Sequence, residues 1–293
     1  MPGKVIFTLL CLLLLDKAQA GFASVEPIPN GGASNGGALT EQPLSDLTPV
    51  ALSYEQAQQL EAAAEKNDSQ ALEQLRHAAE AGDAEARNGM GLYSYSQRKY
   101  ADALSWYNKA ADQGNAHAEA NLGVLYTYGL GVAQNYAQAL SWYRKAAEKG
   151  EARAQTSLGD RYISGQGVPQ DFAQAAAWYG KAAQQGDAYA QNGLGALYAG
   201  GRGVAQNFSQ AASWYCKSAV QGNVRAQSGL GDLYARGQGV ARDYAKASYW
   251  LCKAARKGYA PADAAIQQYS RSGLIAARCA DTSEEQPMDC PGK

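Results

Sequence analysis

Trp106, Trp142, Trp178, Trp214 and Trp250 stand 36 residues apart along the 293-residue chain. The frame around them is shared and is clearest in the second unit. There Ala118, Leu122, Gly123 and Tyr126 lead to Gly129, Gly131 and Val132, then to Tyr136, Ala139, Trp142, Tyr143, Lys145, Ala146, Ala147 and Gly150. A period of roughly 20–50 residues marks an array of stacked units, none of which buries its apolar face alone. Within each unit Ala, Leu and Tyr recur at helical spacing, a Gly-rich turn follows, and a second amphipathic segment closes the unit. Paired glycines such as Gly165 and Gly167 suit the positive φ of a helix C-cap and tight turn. The expected fold is all-α: a right-handed α-solenoid of helix-turn-helix repeats with terminal capping helices.

The flanks divide as follows. Lys4, the apolar run Val5–Leu15 and Ala18-Gln19-Ala20 read as a secretory signal peptide over residues 1–20, cleaved after Ala20. The run of about 11 apolar residues is too short to span a bilayer, which takes about 20. The mature chain is therefore expected to be exported, periplasmic or secreted, with no membrane span. Residues 21–52, with Asn30-Gly31-Gly32 and Asn35-Gly36-Gly37 among prolines, read as a disordered linker. A capping helix pair is expected over 53–82, with helices Tyr54–Lys66 (N-cap Ser53) and Gln70–Ala81, and Gln74 standing in the Trp position. Five repeats fill 83–258, the first without the Gly-x-Gly-Val turn. A capping helix occupies 259–275, with Ile266 in the Leu place and Gln267 in the Gly place, and a polar tail 276–293.

Charge and cysteine content narrow the function classes. Without the leader the chain keeps 24 basic and 26 acidic residues, and no basic stripe suggests nucleic acid. Cys216 and Cys252 occupy equivalent positions two residues after successive Trp. Stacked helices lie about 8–10 Å apart, beyond the ~7 Å Cα limit of a disulfide, so no bond is expected between them. Cys279 and Cys290 share the tail; an oxidising compartment favours a disulfide between them, free thiols being the alternative.

The frame Ala-x-x-x-Leu-Gly-x-x-Tyr-x-x-Gly-x-Gly-Val, then an acidic residue or Asn, Ala, Trp-Tyr-x-Lys-Ala-Ala and Gly, resembles the Sel1-like repeat, a subclass of tetratricopeptide-like helical repeats. The resemblance covers about Asp83 to Gly258, with Leu-Gly at 122–123, 158–159, 194–195 and 230–231 in register with every Trp. Leu251 departs from it by replacing the Tyr after the last Trp. The resemblance implies an adaptor that assembles complexes in a cell envelope, in secretory quality control or at a host-facing surface. Cysteine-rich bacterial relatives bind or hydrolyse β-lactams, but they carry a Cys pair in each repeat, which this chain lacks.

No local motif points to a reaction, a cofactor or a metal. Gly32-Ala33-Ser34-Asn35-Gly36 matches a nucleophile elbow in letters only, since it lacks the strand before it and the helix after it. Ser96-Gln97-Arg98-Lys99 matches Ser-x-x-Lys without the companion motifs of β-lactam-recognising enzymes. His77 and His117 belong to no ligand cluster, no Cys-x-x-Cys exists, and no phosphate loop is present. The Trp-Tyr pairs read as core.

The resemblance also implies that the first helix of each pair lines a concave face. The positions turned outward there are His117, Val124, Thr127 and Tyr128; then Arg153, Thr156, Asp160 and Ile163; then Tyr189, Asn192 and Ala196; then Arg225, Ser228, Asp232 and Arg236. Arg153 and Arg225 flank Tyr189 in one stripe, with Asp160 and Asp232 beside them. Arg and Tyr anchor interfaces, and an Arg fork grips a carboxylate; ordinary solvated helix positions are the alternative. The leading expectation is a non-enzymatic scaffold for a protein or peptide partner. An envelope β-lactam-binding protein or hydrolase, and a secreted host-interacting factor, are the competing ones.

Overall fold

The computed structural model describes residues 51–276 and Cys279. The expected leader, most of the expected linker and most of the tail, Cys290 included, lie outside the described residues. The described residues form thirteen helices and no strand. α1 (Tyr54–Glu65) and α2 (Ser69–Glu80) make the N-terminal pair. Five pairs follow: α3 (Ala84–Ser96) with α4 (Tyr100–Ala111), α5 (Ala116–Tyr128) with α6 (Tyr136–Glu148), α7 (Ala152–Ser164) with α8 (Phe172–Gln184), α9 (Ala188–Gly200) with α10 (Phe208–Val220), and α11 (Val224–Arg236) with α12 (Tyr244–Arg256). α13 (Ala260–Arg271) closes the array. This is the all-α solenoid that the period implies.

Polar side chains start the helices where the sequence places them. Ser53 caps α1 in a reciprocal box: its hydroxyl accepts from Gln56 N–H at 3.2 Å, and the Gln56 side-chain Oε1 accepts from Ser53 N–H at 2.9 Å. Asn115, Glu151, Asp187 and Asn223 cap successive first helices, and Asn135, Asp171, Asn207 and Asp243 cap the second helices that follow each Gly-rich turn. A cap of this kind contributes about 1 kcal/mol.

Helix pairing rests on a tyrosine laid against a glycine. A β-carbon at Gly91, Gly123 or Gly159 would stand 2.3, 2.5 or 2.4 Å from the ring of Tyr107, Tyr143 or Tyr179 in the partner helix. Gly195 meets Tyr215 in the same way, at 2.7 Å, and in the last pair Leu251 takes the place against Gly231. On the other side, Gly193 and Gly229 press on the rings of Tyr179 and Tyr215, so each ring also touches the first helix of the next pair.

The turn glycines do two jobs. Gly129, Gly165, Gly201 and Gly237 hold the left-handed C-caps. Gly131, Gly167, Gly203 and Gly239 instead sit on the backbone that starts the second helix of the preceding pair, where a β-carbon would come within 2.1–2.6 Å of main-chain atoms of Tyr100, Tyr136, Phe172 and Phe208. The second glycine thus joins neighbouring units as well as turning the chain.

Polar rungs tie unit to unit. Gln155, Gln191 and Gln227 are buried and each donates to a carbonyl at the end of the preceding second helix, Ala147, Ala183 and Ala219, at 3.1, 3.1 and 3.0 Å. Gln113, Lys149, Gln221 and Lys257 donate back to the carbonyls of Gly82, Gly114, Gly186 and Gly222. Successive first helices touch one another, while successive second helices do not. The array therefore curves with α3, α5, α7, α9, α11 and α13 on its inner side.

Two expectations need correction. Trp106, Trp142, Trp178 and Trp214 are half-buried rather than core; only Trp250 is fully enclosed. One side of each packs on its own first helix and the preceding second helix, and the ammonium of the lysine three residues on lies 4.0–4.5 Å from the ring centre. In the first three repeats the Tyr, not the Trp, is the core member of the pair. The other correction concerns the tail. Cys279 bonds to Cys252, not to Cys290, with Cα atoms 5.4 Å apart. Leu274, Ile275 and Cys279 pack against the cluster built from α10 to α13, which brings Cys279 within disulfide reach of α12.

Because the ring slot has no room for a methyl group, Gly159→Ala is expected to destabilise the protein by about 1–3 kcal/mol, the usual cost of overpacking a core. Denaturant unfolding of the variant checks this, and an unchanged midpoint would remove the slot from the account of the fold.

Candidate partner-binding groove

The inner helices present three kinds of position. Tyr128 and Tyr189 are large apolar groups left 41% and 43% exposed, and Arg153, Arg225 and Arg236 are exposed. Thr156, Asn192, Ser228 and Ile163 are half-buried, with Thr156 beside the Asp187 carboxyl. Val124 is also half-buried and packs on the cluster around Leu140 and Tyr143. Thr127 does not face outward: it is buried, and its hydroxyl lies 3.2 Å from the Tyr143 hydroxyl. The helix turns Tyr128 rather than its neighbour to the surface, so Thr127 belongs to the core.

The acidic groups of the groove are engaged by the protein itself. Asp160 accepts from the Tyr179 hydroxyl at 2.6 Å. Burial and the Asp160 carboxylate push the Tyr179 hydroxyl up. Asp232 accepts from the Tyr269 hydroxyl and, at 3.0 Å, from Arg236 Nε. Glu151 and Asp187 cap α7 and α9 through the N–H groups of Ala154 and Ala190. Burial acts to raise the Glu151 carboxyl, but His117, Arg153 and the Ala154 N–H outweigh it and hold it low.

His117 does not stand alone. Its ring stacks on Tyr54 with centroids 4.0 Å apart and planes 18° apart, and its Nδ1 lies 3.8 Å from Glu151. Tyr54 and Glu151 were not legible as groove residues, because each reads as part of a helix start. The tyrosine hydroxyls were missed as well. Their signal was the retention of Tyr rather than Phe opposite a Leu-Gly pair. Ser96 donates its hydroxyl to the Tyr93 carbonyl at 2.9 Å at the end of α3, and Lys99 opens α4. Among the described residues no group of three or more His, Cys, Asp or Glu side chains is placed to hold a metal ion, and no helix is long and apolar enough to cross a membrane.

The Sel1 repeat family profile matches residues 84–115, 116–151, 152–187, 188–223 and 224–259, more than half of the chain. The chain belongs to the Sel1 repeat family. Its structure is similar to that of a protective antigen present in uropathogenic Escherichia coli strains, which displays an SLR fold. The two chains are 35% identical, the TM-score is 0.64, and the match covers 76% of this chain and 53% of the other. It is also similar to a Sel1 repeat protein from Oxalobacter formigenes, at 37% identity and a TM-score of 0.62, covering 68% of this chain and 58% of that one. The chain thus spans little more than half the length of these relatives. Sel1 repeat proteins are commonly scaffolds for protein–protein interaction.

At the N-terminal end of the Sel1 array, Glu61 of α1 is pushed up to about 8 by burial, with Glu65 one turn on adding repulsion. The folded state therefore holds a proton that the unfolded chain releases above its ordinary value of 4.5. This contribution to stability is full at low pH and is lost as pH rises between those two values. Unfolding midpoints measured across that interval are expected to fall less steeply for Glu61→Gln than for the wild type; parallel pH profiles would count against the buried-proton account.

Proposed function

We propose that the protein is an exported, non-enzymatic adaptor that holds a protein or peptide partner in the groove of its Sel1 repeats. One observation carries this reading. Arg153, Tyr189 and Arg225 occupy the same register on α7, α9 and α11, and all three side chains are exposed. The acids beside them hold hydrogen bonds from the protein. Exposed Arg and Tyr on a rigid array are the residue types that dominate binding energy at interfaces. The leader-like start of the sequence supports export. Host exposure is a second reading, supported by the relative that is a protective antigen.

Cross-linking and affinity capture from an envelope extract test the groove. A partner held by the wild type is expected to be lost by the Arg153→Glu, Arg225→Glu double variant, with the variant's melting temperature unchanged. Retention of that partner by the folded variant would move the interface off the groove. For export, fractionation of producing cells is expected to place a chain beginning at Gly21 outside the cytoplasm, and an uncleaved cytoplasmic chain would end that part of the proposal.

A further inference from the structure

The inner face is interrupted at the fourth repeat. One, four and five residues after the slot glycine, the second repeat carries Val124, Thr127 and Tyr128, and the third Asp160, Ile163 and Ser164. The fifth carries Asp232, Ala235 and Arg236. The fourth carries Ala196, Ala199 and Gly200. Ala199 and Gly200 border an open notch of about 380 Å³ between α9, α10 and α11. Its walls are mostly apolar: Ala199, Phe208, Leu233 and the Tyr215 ring, with Asp232 and Arg236 among the polar lining.

The notch also strips Tyr215 of its usual partner. The equivalent hydroxyls of Tyr143 and Tyr179 meet Thr127 and Asp160 of their own first helices. In the fourth repeat both of those positions are alanine, so α9 offers the Tyr215 hydroxyl no side-chain acceptor. Burial, and then the nearby Asp232 carboxylate, push this hydroxyl up to about 12, so it stays a donor at physiological pH.

Charge selects the occupant. Asp232 is taken up by Arg236 and Tyr269, and Asp160, Glu151 and Asp187 are likewise bonded within the protein. Arg153 and Arg225 make no ion pair among the described residues. Arg225 lies one helical turn from Gly229, which borders the notch, and Arg236 lines it. Arg202 also acts on Tyr215 electrostatically. Arg236 and Asp232 cancel each other as an ion pair, so the charges left beside the notch are those of Arg225 and Arg202, both positive.

We infer that this notch is the anchor point of the groove and that its occupant is an acidic peptide segment carrying one large apolar or aromatic side chain. The inference rests on the groove-binding proposal and makes it specific. The apolar side chain fills the space beside Ala199 and Gly200, and a peptide carbonyl accepts from the Tyr215 hydroxyl. Flanking carboxylates meet Arg225 and Arg202. An extended strand advances about 3.3 Å per residue, so acids two or three positions from the anchor reach one turn along α11.

The test is selection from a random displayed peptide library on the full mature chain, repeated on an Ala196→Asp, Gly200→Tyr variant. Both new side chains are ones the fold already holds at the equivalent positions, as Asp160 and Tyr128. A β-carbon at Gly200 would meet nothing closer than 3.6 Å, so the variant is expected to melt with the wild type. Enriched peptides are expected to pair one large apolar residue with flanking Asp or Glu, and to bind the notch-filled variant about tenfold or more weakly, the loss of one buried anchor. Peptides that are basic or uncharged would overturn the charge argument. Peptides that bind the filled variant equally but are lost with Arg153→Glu, Arg225→Glu would overturn the notch while leaving the groove in place. No enrichment on either form would overturn both.

Discussion

A tyrosine ring lies flat against a helix only where that helix lacks a β-carbon. That constraint, repeated from Gly91 and Tyr107 to Gly195 and Tyr215, sets the distance between the two helices of a pair. Because Gly193 and Gly229 press on the opposite edges of Tyr179 and Tyr215, it also sets the distance to the next pair. Interiors packed at crystal-like density transmit such spacing with little slack. Everything the groove does depends on this spacing being regular.

Regular stacking then determines which polar groups remain available. The buried glutamines and the Gly82, Gly114, Gly186 and Gly222 carbonyl contacts satisfy backbone groups at every junction. Unpaired buried amides are costly, so these rungs lock the register of the units. In the groove the same economy is visible in the acids, each of which serves a helix cap or a tyrosine hydroxyl. Arg153 and Arg225, by contrast with Arg236, make no ion pair among the described residues.

How much of this was legible depends on the length scale of the interaction. Helix starts were readable because a cap is a local bond: Ser53 with Gln56, or Asn135 with Gln138. The role of Gly131, Gly167, Gly203 and Gly239 was half-readable. Their turn conformation is local, but their close approach to Tyr100, Tyr136, Phe172 and Phe208 joins residues about one repeat apart. Thr127 was misplaced because adjacent residues on a helix point about 100° apart, and only the curvature decides which of Thr127 and Tyr128 faces the groove. Cys279 was misassigned because a partner in the same tail looked closer along the chain than Cys252, which the packing of Leu274 and Ile275 brings near.

The sequence by itself determined the period, the helix pairs, the caps and the family, since each follows from local patterns repeated in phase. Tertiary structure alone decided that Trp106, Trp142 and Trp178 sit half-buried under lysine while Tyr107, Tyr143 and Tyr179 are core. It also decided that the groove's acids are internally bonded, and that Ala199 and Gly200 of the fourth repeat border one notch. Those outcomes depend on which groups meet across units, and contact between units is a property of the stack and of no single segment.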